Sequence, residues 1–185
     1  MTYITNFHSV EKIIGDTLLQ QSELEQGRII NGLSTRGVSL SKFITDNVLL
    51  SYDVLDSVII FEITTADNND INFTERDNNN IREGCMYEVK VIAYGNDSIN
   101  LIKKLKARFE SARVRNDLLQ QGIYLIESSS SISVNDFINE TIYPRTDWSF
   151  TIAYETEISL LDDEQPIDSY SDVEITTKST LWLHR

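Results

Sequence analysis

Residues 85–122 read CMYEVKVIAYGNDSINLIKKLKARFESARVRNDLLQQG, and this stretch decides the fold. Its first residues alternate. Cys85, Tyr87, Val89, Val91 and Ala93 lie on one side of a strand, with Met86, Glu88, Lys90, Ile92 and Tyr94 on the other. Gly95-Asn96-Asp97 breaks the strand. Beyond it Ile99, Ile102, Leu105 and Phe109 recur at helical spacing, and Gly122, just after Leu118 and Leu119, reads as a helix stop. A strand that runs straight into a helix implies a sheet with a helix packed on one face.

Toward the N-terminus, Ser57–Thr64 is a second strand. Val58, Ile60, Glu62 and Thr64 alternate with Ile59, Phe61 and Ile63, so both faces are partly apolar and the strand belongs inside the sheet. Thr65–Asn80 is crowded with Asp and Asn and reads as a long polar connection. Lys42–Leu50 fits either a short strand or a helical turn. Arg28–Leu40, interrupted by Gly32 and Gly37, reads as a loop with short extended pieces. Ser9 is a cap candidate for a first helix, whose stripe Val10, Ile13, Ile14, Thr17 and Leu18 continues to about Gln21.

Toward the C-terminus, Ile123–Ile126 is a short strand and Ser128–Ser131 a flexible break. Ile132–Phe137 leads into a connection that ends at Tyr143-Pro144-Arg145. Thr146–Leu160 then gives the clearest alternation of the chain. Trp148, Phe150, Ile152, Tyr154 and Ile158 face one way, and Asp147, Ser149, Thr151, Ala153, Glu155 and Glu157 the other. Asp162–Asp172, with Pro166, reads as a linker. Val173–Leu183 recovers strand character, as a last strand or as an arm pairing with a neighbouring subunit. No internal repeat is present. The expected fold is α+β: a mostly antiparallel sheet with two helices on one face. Residues 1–161 form its domain, and residues 162–185 a C-terminal β extension or arm.

A hydrophobic content of 41% over 185 residues is enough for one core. The net charge of −13 opposes broad binding to nucleic acid or to an anionic membrane, because both need clustered Lys and Arg. It suits a surface along which DNA slides without adhering and equally an ordinary soluble protein, so the charge alone decides little. Met1-Thr2-Tyr3-Ile4-Thr5-Asn6 lacks a charged region followed by an apolar run, so no signal peptide is expected, and no apolar stretch approaches the roughly 20 residues of a membrane span. A soluble product of the cytoplasm is the expectation.

Catalytic chemistry finds little to work with. Cys85 is the one cysteine and reads as a small core residue, which leaves no intrachain disulfide. His8 and His184, at opposite ends of the chain, cannot join it in a zinc site. A calcium loop starting at Asp67 places Ile71 and Asn72 where a ligand and a glycine are needed. One starting at Asp70 places Thr74 and Glu75 there, so the segment reads as a solvated loop. There is no Gly-x-Ser-x-Gly elbow, no Gly-x-Gly-x-x-Gly and no phosphate loop. Glu155 and Glu157 fit the outer face of a strand better than an acid/base pair. We therefore expect no enzyme, catalytic residue, metal or cofactor.

One stretch reverses the charge. Lys103, Lys104, Lys106, Arg108, Arg113 and Arg115 cluster with only Glu110 among them. The plain reading is a solvated helix face. The sharper one is a subunit interface, in which this basic helix meets an acidic patch on an identical neighbour head to tail and the contact closes into a ring. Direct DNA binding is disfavoured because no aromatic residues interleave the charges.

Tyr87–Glu157 carries a family pattern. A strand ends in Ala93-Tyr94-Gly95-Asn96-Asp97. A helix follows with Arg115 and Leu118, then Gly122-Ile123 and a short strand. A last strand opens at Arg145 and alternates aromatic and polar residues through Trp148, Phe150 and Tyr154 to Glu157. In order and spacing this resembles the tail terminator, or neck terminator, proteins of long-tailed bacteriophages. The chain departs from them in having no proline between Arg28 and Asp56 and in its longer tail after Leu160. The resemblance implies a structural virion protein without cofactor or catalytic residue. It would form a homo-hexameric ring at the head-proximal end of the tail. There it would end the tail tube and join it to a head connector or other neck protein, while DNA passes through the lumen without specific binding. Assembly would occur in the host cytoplasm, with no membrane partner. Another neck or tail-completion protein, such as a head-closure protein, is the alternative within this class. A small-ligand or peptide-binding module using the exposed sheet is the alternative outside it.

Overall fold

The computed structural model describes residues 7–25, 27–32, 57–65, 74–76, 80–138 and 140–159. The readings of Met1–Asn6, Lys42–Leu50, Asp162–Asp172 and Val173–Leu183, and most of that of Thr65–Asn80, lie outside these residues. In chain order the elements are α1 (Phe7–Ser22), β1 (Ile29–Asn31), β2 (Val58–Thr65), β3 (Thr74–Arg76), β4 (Asn80–Tyr94), α2 (Ser98–Phe109), α3 (Ala112–Gln120), β5 (Ile123–Ser128), β6 (Ile132–Ile138) and β7 (Thr141–Ser159).

The sheet is built on β4 and β7, which pair antiparallel from Asn80↔Ser159 to Tyr94↔Arg145. On the other side of β4 lie β2, from Val58↔Tyr94 to Thr65↔Tyr87, and β3, from Thr74↔Glu83 to Arg76↔Ile81. β1 runs parallel to β2 beyond it, so β2 is an internal strand as its two apolar faces imply. On the other side of β7 lie β5 and β6, both antiparallel to it. The fold is α+β with a mostly antiparallel sheet.

This register puts one apolar set on one face. Ile59, Phe61 and Ile63 pair with Ala93, Val91 and Val89, and Val91 and Val89 pair with Trp148 and Phe150. All are buried against Val10, Ile14 and Leu18 of α1, Leu101, Ile102, Leu105 and Phe109 of α2, and Val114 and Leu118 of α3. Each Val, Leu, Ile or Phe among them contributes roughly 1.5–3 kcal/mol when fully buried, so this helix-covered face holds the fold. Phe109 meets Trp148 edge-on at 5.5 Å between ring centroids and Phe150 at 5.1 Å. α1 crosses β2 at Gly15, where an added Cβ would come within 3.2 Å of the Phe61 ring. Cys85 packs against this core, in keeping with its reading as a small core residue. On the opposite face a smaller cluster of Ile60, Ile92 and Tyr94 gathers Ile30 and Tyr143.

Three features differ from the sequence reading. The single helix expected between Gly95 and Gly122 is two. Ser111 adopts an extended conformation (φ −68°, ψ 146°), and its hydroxyl accepts from the Val114 amide, opening α3 as an N-cap. The same hydroxyl donates to the Arg108 carbonyl at 2.5 Å and so holds the end of α2. The buried apolar stripe of α2 starts at Leu101, and Ile99 is exposed. Second, part of the expected polar connection is structured: Thr74–Arg76 forms β3 on the extended start of β4, which begins at Asn80. Third, β7 begins at Thr141 and runs through Pro144. The Pro144 carbonyl accepts from the Gly95 amide at 3.0 Å, so the nitrogen of Pro144 also points toward the β4 side. β4 has ended there, at Tyr94, and the missing N–H costs no ladder bond.

Candidate functional site

The basic cluster sits on α2 and α3, and the structure divides it. Lys104 Nζ contacts Glu23 Oε2 at 2.5 Å, and Arg108 Nη2 contacts Glu23 Oε1 at 2.5 Å. The Arg108 guanidinium also donates to the Gln21 carbonyl, one of the acceptors that the end of α1 leaves open. Glu23 stands just past α1 in the left-handed region (φ 62°), a place where glycine is usual. Hydrogen bonds from Lys104 first, and then Arg108, hold its carboxyl down at about 2. Lys106 Nζ donates to the Ser129 carbonyl at 2.7 Å and lies 3.9 Å from Glu110. These three cations tie α2 to α1 and to the β5–β6 turn of the same chain.

Lys103, Arg113 and Arg115 are different. They are exposed, and none has an ion pair among the described residues. Each helix also presents one exposed apolar residue a turn from such a cation. Ile99 stands four residues before Lys103, and Leu119 four residues after Arg115.

A second surface escaped the sequence reading. β6 and the first part of β7 form a hairpin arm, closed at Ile138↔Thr141, with Glu140 in the left-handed region (φ 64°) at its tip. The four residues of β7 before Arg145 lie past the last pair with β4 and extend roughly 13 Å at the usual strand rise. Phe137 and Ile142 are cross-strand partners and are 73% and 59% exposed. Ile132 and Val134, on the outer strand, are 63% and 40% exposed.

The base of the arm is firmly held. Arg145 makes a bidentate contact to Asp147, with Nε to Oδ1 at 2.6 Å and Nη2 to Oδ2 at 2.5 Å, and its Nη1 reaches Asp136 at 3.1 Å. Tyr94 O–H donates to Asp136 at 2.7 Å, and Tyr143 packs into the smaller core cluster. Burial, and then that hydrogen bond, push the Tyr94 phenol up from its ordinary value. The hydrogen bond to Asp147 raises the Arg145 guanidinium and keeps it charged against the opposing effect of burial. On the helix side, Thr146 Oγ1 lies 3.1 Å from Ser98 Oγ and 3.3 Å from Ser133 Oγ. The sequence did hold a signal for this arm: short apolar-rich runs, Ile132–Ile138 and Ile142-Tyr143, flank Asn139-Glu140. Asn-Glu is not among the glycine-containing pairs that mark two-residue hairpins, so the turn passed unread.

Among the described residues there is no group of three or more His, Cys, Asp or Glu placed to hold a metal ion, and no helix long and apolar enough to cross a membrane. The distinctive surfaces are thus a partly self-neutralised basic helical layer and a projecting arm with bare apolar side chains.

No curated protein matches the chain significantly. A family comparison does: residues 43–180 match the family described as phage neck terminator protein. That match takes in most of the sheet, the two helices after β4 and the arm, about three quarters of the sequence. The chain therefore belongs to the phage neck terminator protein family and is a structural protein of the phage neck.

Proposed function

We propose that the chain forms a homo-hexameric ring at the head-proximal end of the phage tail, where it stops the tail tube and joins it to the head connector. The family match over residues 43–180 carries this reading. The work is geometric. One ring face fits the end of the tube and the other fits the connector, and no residue does chemistry or holds a cofactor. A net charge of −13 per copy supports a lumen along which DNA passes without adhering. Two surfaces of different chemistry, one basic and one apolar, favour a head-to-tail contact over a two-fold one, and such a contact can close into a ring. The protein assembles in the host cytoplasm and ends in the virion, with the tail tube protein and a neck protein as its partners.

Native mass measurement of the purified protein, alone and with tail tubes, tests this. A species of six chains, free or released from the tubes, is the expected result. A persistent monomer that leaves tube ends unbound would refute it. Binding to the connector but not to the tube would instead favour a head-closure role.

A further inference from the structure

The arm presents an unusual edge. Natural sheets protect exposed edge strands with charge, proline or cover, yet the outer strand here shows Ile132, Val134 and Phe137 to solvent. Its base is fixed by Arg145, Asp136, Asp147 and Tyr94, so little ordering is left to be done when a partner arrives. It carries little exposed charge: Asp136 and Asp147 share Arg145 at the base, and Glu140 at the tip is exposed.

Two copies that each carry −13 repel, so a contact between them needs surfaces of low or opposite charge. The helical layer supplies one. Lys103 and Arg115 lack ion pairs among the described residues, and each stands a turn from an exposed apolar residue, Ile99 or Leu119. The arm offers apolar side chains and an acid, and the helices offer apolar side chains and cations.

We propose that the β6–β7 arm of one copy docks on the α2–α3 layer of the next, with Phe137 and Ile142 against Leu119 or Ile99 and Glu140 toward Arg113, Arg115 or Lys103. The inference rests on the ring reading and names the contact that closes the ring. It also narrows the basic cluster: Lys104, Lys106 and Arg108 serve the fold, and Lys103, Arg113 and Arg115 serve the neighbour.

The test uses the full chain and reads ring formation, tube capping and thermal midpoint together. Phe137→Asp with Ile142→Asp should raise the concentration needed for assembly by about tenfold or more and leave the midpoint of the monomer nearly unchanged. Glu140→Lys should weaken assembly, and adding Arg113→Glu with Arg115→Glu should restore it, which a folding defect would not do. Mixing a Glu140→Cys protein under oxidation with Lys103→Cys, Arg113→Cys and Arg115→Cys proteins in turn should give, with at least one of them, a mixed disulfide in excess of either self-pair. Rings that persist in the Phe137/Ile142 variant, or the absence of the mixed disulfide in intact rings, would overturn the contact while leaving the ring reading standing. Variant rings that no longer cap tubes would assign the arm to the tube and also overturn it. Wild-type protein that forms no ring, even on tubes, would remove the ring reading and this contact together.

Discussion

Phe109 shows how one residue decides more than its neighbours. It closes α2, is fully buried and meets both Trp148 and Phe150 across the helix–sheet interface. Phe109→Ala should lower stability by about 3–5 kcal/mol in denaturant unfolding, since the aromatic walls around it cannot collapse into the space. Ile99, at the same apparent helical spacing, is 45% exposed, and Ile99→Ala should stay within about 0.5 kcal/mol of wild type. Equal losses at the two positions would contradict the placement of α2. The sequence pattern did not separate them because hydrophobicity alone marks both. Leu101 shares the buried face with Ile102, and this rotates the stripe away from Ile99. The six cations show the same limit. Residue type marked them as a cluster, but whether each one serves the fold depends on Glu23 and Ser129, which are distant in sequence.

At the scale of elements, the end of α1 is fastened to α2 by Glu23, Lys104 and Arg108. Glu23 is held below its ordinary 4.5, so its carboxylate favours the folded state above that pH, and the contribution is lost as pH falls toward about 2. The gap between the unfolding midpoints of wild type and Glu23→Gln should be present at neutral pH and shrink steadily below about 4.5. A gap that stays constant across that window would show that the clamp contributes nothing through charge. The major elements themselves were legible. The alternation in β2, β4 and β7 and the glycine stops at Gly95 (φ 112°) and Gly122 (φ 83°) follow local rules that hold here. What was not legible depends on partners. Ser111 looks like any helical serine until its hydroxyl is seen capping α3. Pro144 reads as a strand break unless it is known that β4 ends beside it. β3 exists because β4 runs on past β2, and polar Thr74–Arg76 has no pattern that announces it.

At the scale of the molecule, the long antiparallel pair of β4 and β7 forms a spine. β7 alone, at 19 residues, spans about 60 Å. Helices cover one face of the spine and the β6–β7 arm projects from one end. The family match runs from residue 43 to residue 180, so it continues past the end of β7 into the segment first read as an extension. The proposed head-to-tail ring rests on the apolar arm and the basic helical layer of a chain that is otherwise strongly acidic. The function proposed for such a ring is to end the tail tube. Tail tubes polymerised from their own subunit, with and without this protein, and imaged by negative stain test it most directly. A ring on one end of each tube, and tubes that stop lengthening once it is bound, are the expected result. Bare ends and unchanged growth in the presence of excess protein would contradict it.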